Sequence, residues 1–164
     1  MSVTAVATAP KGAVVVGVDG SSNSRSALMW AADEARRRNV TCFIVHAWEY
    51  PATVMASPYV LARSLDVFRT DGERVVADAL AMLEGLGLQT SGHLVRGPAG
   101  PALVEAAAEA GVLVVGTKGH GAIMSTLLGS VSEFCVHHAS CPVVVVPPPE
   151  AAASAPETKA AAGV

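Results

Sequence analysis

The residues with the clearest capacity for chemistry lie together in Gly116 to Ser132, which reads GTKGHGAIMSTLLGSVS. Gly116, Gly119 and Gly121 allow backbone to approach a ligand where a Cβ would obstruct it. Gly129-Ser130 stands where a helix is expected to begin, and first-turn N–H groups have no intrahelical partner and attract anions. Two phosphate-compatible elements in one segment point to a nucleotide site. Ser130 has a second reading, as the N-cap of a capping box Ser130-x-x-Glu133, and capping competes with phosphate for the same N–H groups. Lys118 is either a cation near the phosphates or an outward, solvated side chain.

Other chemistries find little support. The segment is not a Walker A loop, because Lys118 is followed by Gly119, and no G-x-G-x-x-G follows the first apolar run. No serine sits in a G-x-S-x-G context. Asp19 is the only acidic side chain that can be assigned to the same crevice, and it is either a turn and helix-entry residue or an acceptor for ligand N–H or O–H groups. With no general base evident, the residues suit holding a nucleotide better than breaking one. His46 reads as a satisfied histidine at a strand end. His137 and His138, adjacent on a helix, point to different faces, which argues against a shared metal. The three cysteines form no C-x-x-C pair. Cys42 reads as a small core residue, while Cys135 and Cys141 could meet across a helix end.

These residues need a scaffold, and apolar runs supply its outline. Val14 to Val18, Thr41 to Ala47, Gly111 to Val115 and Cys141 to Val146 are continuous apolar runs of strand length, as expected for strands buried on both faces. Residues 88 to 96, with Gly92 and more polar character, read as a weaker strand at or near a sheet edge. Between the strands, helical patterns run from Ser21–Ser24 to Arg38, from about Leu61 to Leu86, from Pro98 to about Ala110, and from Ser130 to His138. Ala27, Leu28, Ala31 and Ala35 form the inner face of the first, and Val75, Val76, Ala79, Leu80 and Leu83 that of the second. Val131, Phe134, Cys135 and His138 are expected on the inner side of the fourth. Gly72 is expected to weaken or split the second helix. Residues 48 to about 62 read as a loop. The alternation βαβαβαβαβ requires right-handed crossovers and a parallel sheet with helices on both faces. Strand order is not legible in the pattern.

The chain has 164 residues, 51% hydrophobic and 15% charged, which suits one globular domain. A formal net charge of −3 gives no reason to expect nucleic acid as a partner. Arg36 to Arg38 read as the exposed last turn of a helix, where cations suit the dipole. No apolar stretch approaches the about 18 residues that would span a bilayer, and Met1 to Pro10 does not read as a signal peptide. A cytoplasmic, reduced protein is the simplest expectation. Residues 1–11 are expected to be a flexible lead-in, 12–147 the domain, and 148–164, rich in alanine and proline, a disordered tail.

The spacing Gly116-x2-Gly119-x9-Gly129-Ser130 resembles the ATP-binding signature of the universal stress protein family, G-x2-G-x9-G-[ST]. The opening VVVGVDGS, the second strand with Val45-His46, and the closing CPVVVVP resemble further family landmarks, so the likeness covers about residues 12 to 147. It implies a Rossmann-like α/β three-layer sandwich with a five-stranded parallel sheet of order 3-2-1-4-5. It also implies homodimers paired through the last strand, Pro142 to Val146, and binding of ATP with Mg2+. Carried over by residue, Gly17, Val18 and Asp19 would meet the adenosine, and the Val45 backbone the adenine edge. Gly116, Thr117, Gly119 and His120 would wrap ribose and phosphates, and Gly129, Ser130, Val131 and Ser132 would donate to phosphate. One departure is Gly111, where many members have an acidic residue. The implied role is an ATP-binding regulator of the stress response with no catalytic residues. Alternatives are a cAMP binder, a nucleotide-free dimeric scaffold for protein partners, and a slow ATPase.

Overall fold

The computed structural model describes residues 8–49, 58–117 and 128–148, with backbone only for 58–66. Five strands form one sheet: β1 (Val14–Gly17), β2 (Cys42–Trp48), β3 (Thr90–Arg96), β4 (Val112–Gly116) and β5 (Val143–Val146). Every pairing is parallel and the order is β3-β2-β1-β4-β5, as the family resemblance implies. Four helices connect them: α1 (Ser22–Arg38), α2 (Pro58–Leu83), α3 (Ala99–Ala106) and α4 (Ser130–His138).

The apolar runs are continuous because both faces of the sheet are covered. Val14 and Val16 pack with Ile44, Val112 and Val114 beneath α1 and α2, joined by Ala27, Leu28, Ala31 and Ala35 of α1. Val15, Phe43, Val45, Leu113 and Val115 face the other way, against Leu103 of α3 and Cys135 of α4. Val14, Val15 and Val16 are all fully buried, each adding about 1.5–3 kcal/mol through loss of water-exposed apolar surface. Cys42 is a core residue as expected, and burial pushes its thiol up to about 12.

Helix ends follow local chemistry. Ser21 caps α1 by accepting the Ser24 N–H, and Asn39 closes it in the left-handed conformation at φ 53°. The arginines of its last turn are exposed and pair with Asp33 and Glu34, and the guanidinium groups of Arg37 and Arg38 hold the Glu34 carboxyl below the usual range. α2 starts at Pro58, earlier than the loop reading of residues 48 to 62 allows, because proline suits the first turn of a helix. α3 ends at Ala106, short of the expected Ala110.

Gly72 does not split α2. A Cβ there would lie 2.7 Å from Leu94 Cδ1 and 3.2 Å from His46 Cδ2, so its missing side chain seats the helix on β2 and β3. Gly92 answers from the strand side, where a Cβ would meet Val76 Cγ1 at 2.5 Å. Gly111 has a similar reason: a side chain would lie 2.7 Å from the Gly12 carbonyl oxygen. Packing also begins before residue 12, since Ala9 is buried and its N–H donates to the Ala106 carbonyl at 2.9 Å. Residues 1–7 of the expected lead-in and 149–164 of the expected tail lie outside the described residues.

Candidate functional site

β1 and β4 are neighbours, yet the chain leaves β1 toward β2 and β3 and leaves β4 toward β5 on the other side. That reversal opens a crevice at the carboxyl ends of the two strands, where open α/β sheets hold ligands. Val18 and Asp19 flank it from β1, and Gly116 and Thr117 from β4.

The β1 side is a self-locked turn. Asp19 Oδ1 accepts the Ser21 N–H at 3.0 Å, and the Asp19 N–H donates to Ser24 Oγ at 3.3 Å. Ser24 returns to Ser21 twice, its N–H donating to Ser21 Oγ at 3.1 Å and its hydroxyl to the Ser21 carbonyl at 3.0 Å. Gly20 adopts φ +80°, which glycine tolerates without strain. His46 Nδ1 lies 2.7 Å from the Val18 carbonyl. A carbonyl only accepts, so Nδ1 carries the proton, and this histidine is satisfied as expected while it anchors the residue before Asp19.

The β4 side is a neck. The Thr117 carbonyl accepts the Gly129 N–H at 2.7 Å, so the chain leaving at 118 returns to the same point at 128. Its N–H donates to the Val146 carbonyl of β5 at 3.0 Å. The neck delivers the amino terminus of α4 to the end of β4. The expected capping box does not form there: Gly129, at φ −80° and ψ 163°, is the N-cap, with no side-chain cap bond. The Gly129 carbonyl accepts the Glu133 N–H at 2.9 Å, which makes Gly129 the cap and Ser130 the exposed first helical residue. The amides of Ser130, Val131 and Ser132 therefore open a helix with no capping side chain. The Ser132 hydroxyl is turned inward, shared between the carbonyls of Gly129 at 2.8 Å and Thr117 at 3.0 Å, and the Gly129 amide is held by Thr117, so neither of these expected donors is turned toward a phosphate.

Other site residues have structural duties that the sequence did not reveal. A Cβ on Gly116 would sit 3.2 Å from the carbonyl carbon and oxygen of Asn23, so its bareness admits the first turn of α1. At Gly17 a Cβ would meet Leu103 Cδ1 at 2.8 Å. Val45 is buried, and its carbonyl accepts the Val18 N–H at 2.9 Å. β2 continues past it to Trp48, and Gly17 is paired with Val45. The sequence did not single out Asn23, whose Nδ2 donates to Thr117 Oγ1 at 3.2 Å. That bond depends on a meeting of distant segments that no local pattern encodes. Lys118, Gly119, His120 and Gly121 lie outside the described residues.

The remaining polar groups stand apart from the crevice. His138 is exposed and stacks on Phe134 at 4.0 Å, so it is not on the inner side of α4, which Ser132 and Cys135 occupy. His137 meets His138 edge-on at 6.5 Å, and no group of three or more potential metal ligands gathers among the described residues. Burial raises the Cys135 thiol to about 11 and also raises Cys141, which disfavours reactive thiolates. His93 stacks on Phe43 at 4.0 Å, and burial lowers its basicity. No helix among the described residues is long and apolar enough to cross a membrane.

The sequence model of the universal stress protein family matches residues 12–147. Universal stress protein Rv2005c of Mycobacterium tuberculosis is 39% identical over 137 residues, covering 79% of this chain and 46% of the relative. The chain thus spans about half the length of the curated relatives it matches. Among solved structures, a universal stress protein in complex with cAMP is 28% identical, with a TM-score of 0.64 and coverage of 84% of this chain and 98% of that one. The universal stress protein of Archaeoglobus fulgidus in complex with dAMP shares the fold at 21% identity and a TM-score of 0.60, covering 82% and 97%.

Proposed function

The chain belongs to the universal stress protein family, and from that premise we propose that it binds ATP at the crevice between β1 and β4 as a regulatory homodimer of the stress response, in the cytoplasm. The observation that carries this reading is the Thr117 neck. It sets the uncapped start of α4 beside the end of β4, at the point where the sheet reverses direction.

Phosphate fits there because the amides of Ser130, Val131 and Ser132 carry partial positive charge and have no capping side chain. Gly116, Thr117, Gly119 and His120 would complete that half. Gly17, Val18 and Asp19 would form the adenosine half, with the β2 backbone at Val45 along the adenine edge. Mg2+ would arrive with the phosphates, which would supply most of its ligands. The site has donors for charge but no positioned general base among its described residues, so turnover, if measured, is expected to be slow.

The dimer reading rests on β5. It is an edge strand of four valines, with proline on either side and no charge along it. Edge strands without charges or bulges invite pairing with another strand. A second copy presenting the same edge would close the contact symmetrically. A second ligand reading is favoured by the solved relative that holds cAMP: the same adenosine contacts, with a shorter reach toward α4.

Native mass spectrometry of gently purified protein, followed by calorimetric titration with ATP, cAMP and adenosine, tests the proposal. ATP binding with one site per chain is the expected result. Preference for cAMP would support the second reading, and failure of all three ligands at millimolar concentration would remove the nucleotide site.

A further inference from the structure

Resting on the nucleotide reading above, we propose that Asn23 is a positioning residue that clasps the adenosine and phosphate halves of the site to one another. Each half is locked within itself. The Asp19–Ser24 turn closes through Asp19, Ser21 and Ser24, and the neck closes through Thr117, Gly129 and Ser132. The two halves lie far apart in sequence, and the Asn23 Nδ2–Thr117 Oγ1 bond joins residues 94 positions apart across their boundary. The glycine at 116 independently marks the same junction, because the backbone of Asn23 lies where even a methyl group would press against it.

Asn23 stands in the first turn of α1, two residues after its cap Ser21. From there its side-chain amide reaches Thr117, just past the end of β4. Because α1 carries the Asp19 turn rigidly at its amino terminus, the clasp sets the distance between that turn and the start of α4. A ligand touching both halves needs that distance, whereas adenine alone touches one.

The test is a double-mutant cycle in the full chain with Asn23→Ala and Thr117→Val, titrated with ATP and adenine, with urea midpoints confirming folding. Thr117→Val removes Oγ1 and retains the backbone bonds of the neck. Each single variant is expected to weaken ATP about threefold to tenfold, the range for one lost neutral hydrogen bond. Adenine should change by less than about twofold, and the double variant should be no weaker for ATP than either single one. Gly116→Ala, which wedges the same junction from the β4 side, should show the same preference for weakening ATP. Equal losses for both ligands, or additive losses in the cycle, would overturn the clasp and leave the nucleotide reading standing. An unaltered chain that binds neither ligand would remove both.

Discussion

Ser130→Pro separates phosphate binding at α4 from the stability of that helix. Ser130 is the first helical residue, and Gly129 before it is extended at φ −80° and ψ 163°. Both conditions suit proline: its fixed φ matches a first helical position, and the preceding residue is already outside the helical region that proline disfavours. The Gly129 N–H bond to Thr117 and the Glu133 N–H bond to Gly129, at 2.7 and 2.9 Å, involve neither the amide nor the hydroxyl of Ser130. The substitution therefore deletes one amide donor with little disturbance, and restriction of the unfolded chain adds about 0.4–1 kcal/mol of stability. An amide bonded to a charged phosphate is worth about 1.5–3 kcal/mol, so ATP affinity should fall about ten- to a hundredfold. Adenosine affinity should not change. Ser130→Ala isolates the hydroxyl, and its smaller loss calibrates the amide. Calorimetric titration with a parallel urea melt reads both quantities. A Ser130→Pro chain that folds normally and binds ATP like the original would refute phosphate binding at this helix.

Three further outcomes follow from packing and charge. The carbonyls of Pro142 and Val146 point to β4, so by strand alternation the amide of Val145 points off the edge. Val145→Pro should weaken self-association in analytical ultracentrifugation while the far-ultraviolet spectrum is retained, and an unchanged dimer would exclude pairing through β5. Gly92→Ala would place a methyl 2.5 Å from Val76 and 2.9 Å from Leu80, costing about 1–3 kcal/mol by overpacking; an unshifted urea midpoint would contradict that tight seat. His93 is half-buried, and desolvation lowers its basicity below the ordinary 6.5, so the unfolded chain takes up its proton first. Its contribution is intact above about pH 6.5 and is lost as pH falls through that value toward the lower folded one. His93→Phe, which keeps a ring against Phe43, should flatten stability across that acidic window, and an unchanged slope would count against it.

Much of this protein was legible in its sequence because the signals are local. A strand buried on both faces must be apolar throughout, so VVVGV, CFIVHA and VLVV identify themselves. Alternation of strands with helical periods then requires a parallel sheet. Ser21, Asn39 and Pro98 mark element ends within a residue or two, because their capping is decided by neighbours in the chain. The spacing from Gly116 to Ser130 was enough to expect anion binding near the end of the fourth strand.

What each residue does there was decided by segments that meet only in the folded chain. Gly72 and Gly92 are bare because a helix and a sheet must touch, and Gly116 because the first turn of α1 lies against it. The cap of α4 falls on Gly129 and not on Ser130, the distant Thr117 carbonyl holds the Gly129 amide, and the Ser132 hydroxyl turns inward to the same carbonyl. Asn23 reaches Thr117 across 94 positions of chain. Propensity and hydrophobic period act over a few residues, so they specify which elements form. Register, close approach and the partners of polar groups are set by three-dimensional packing, and these decide how the crevice is built.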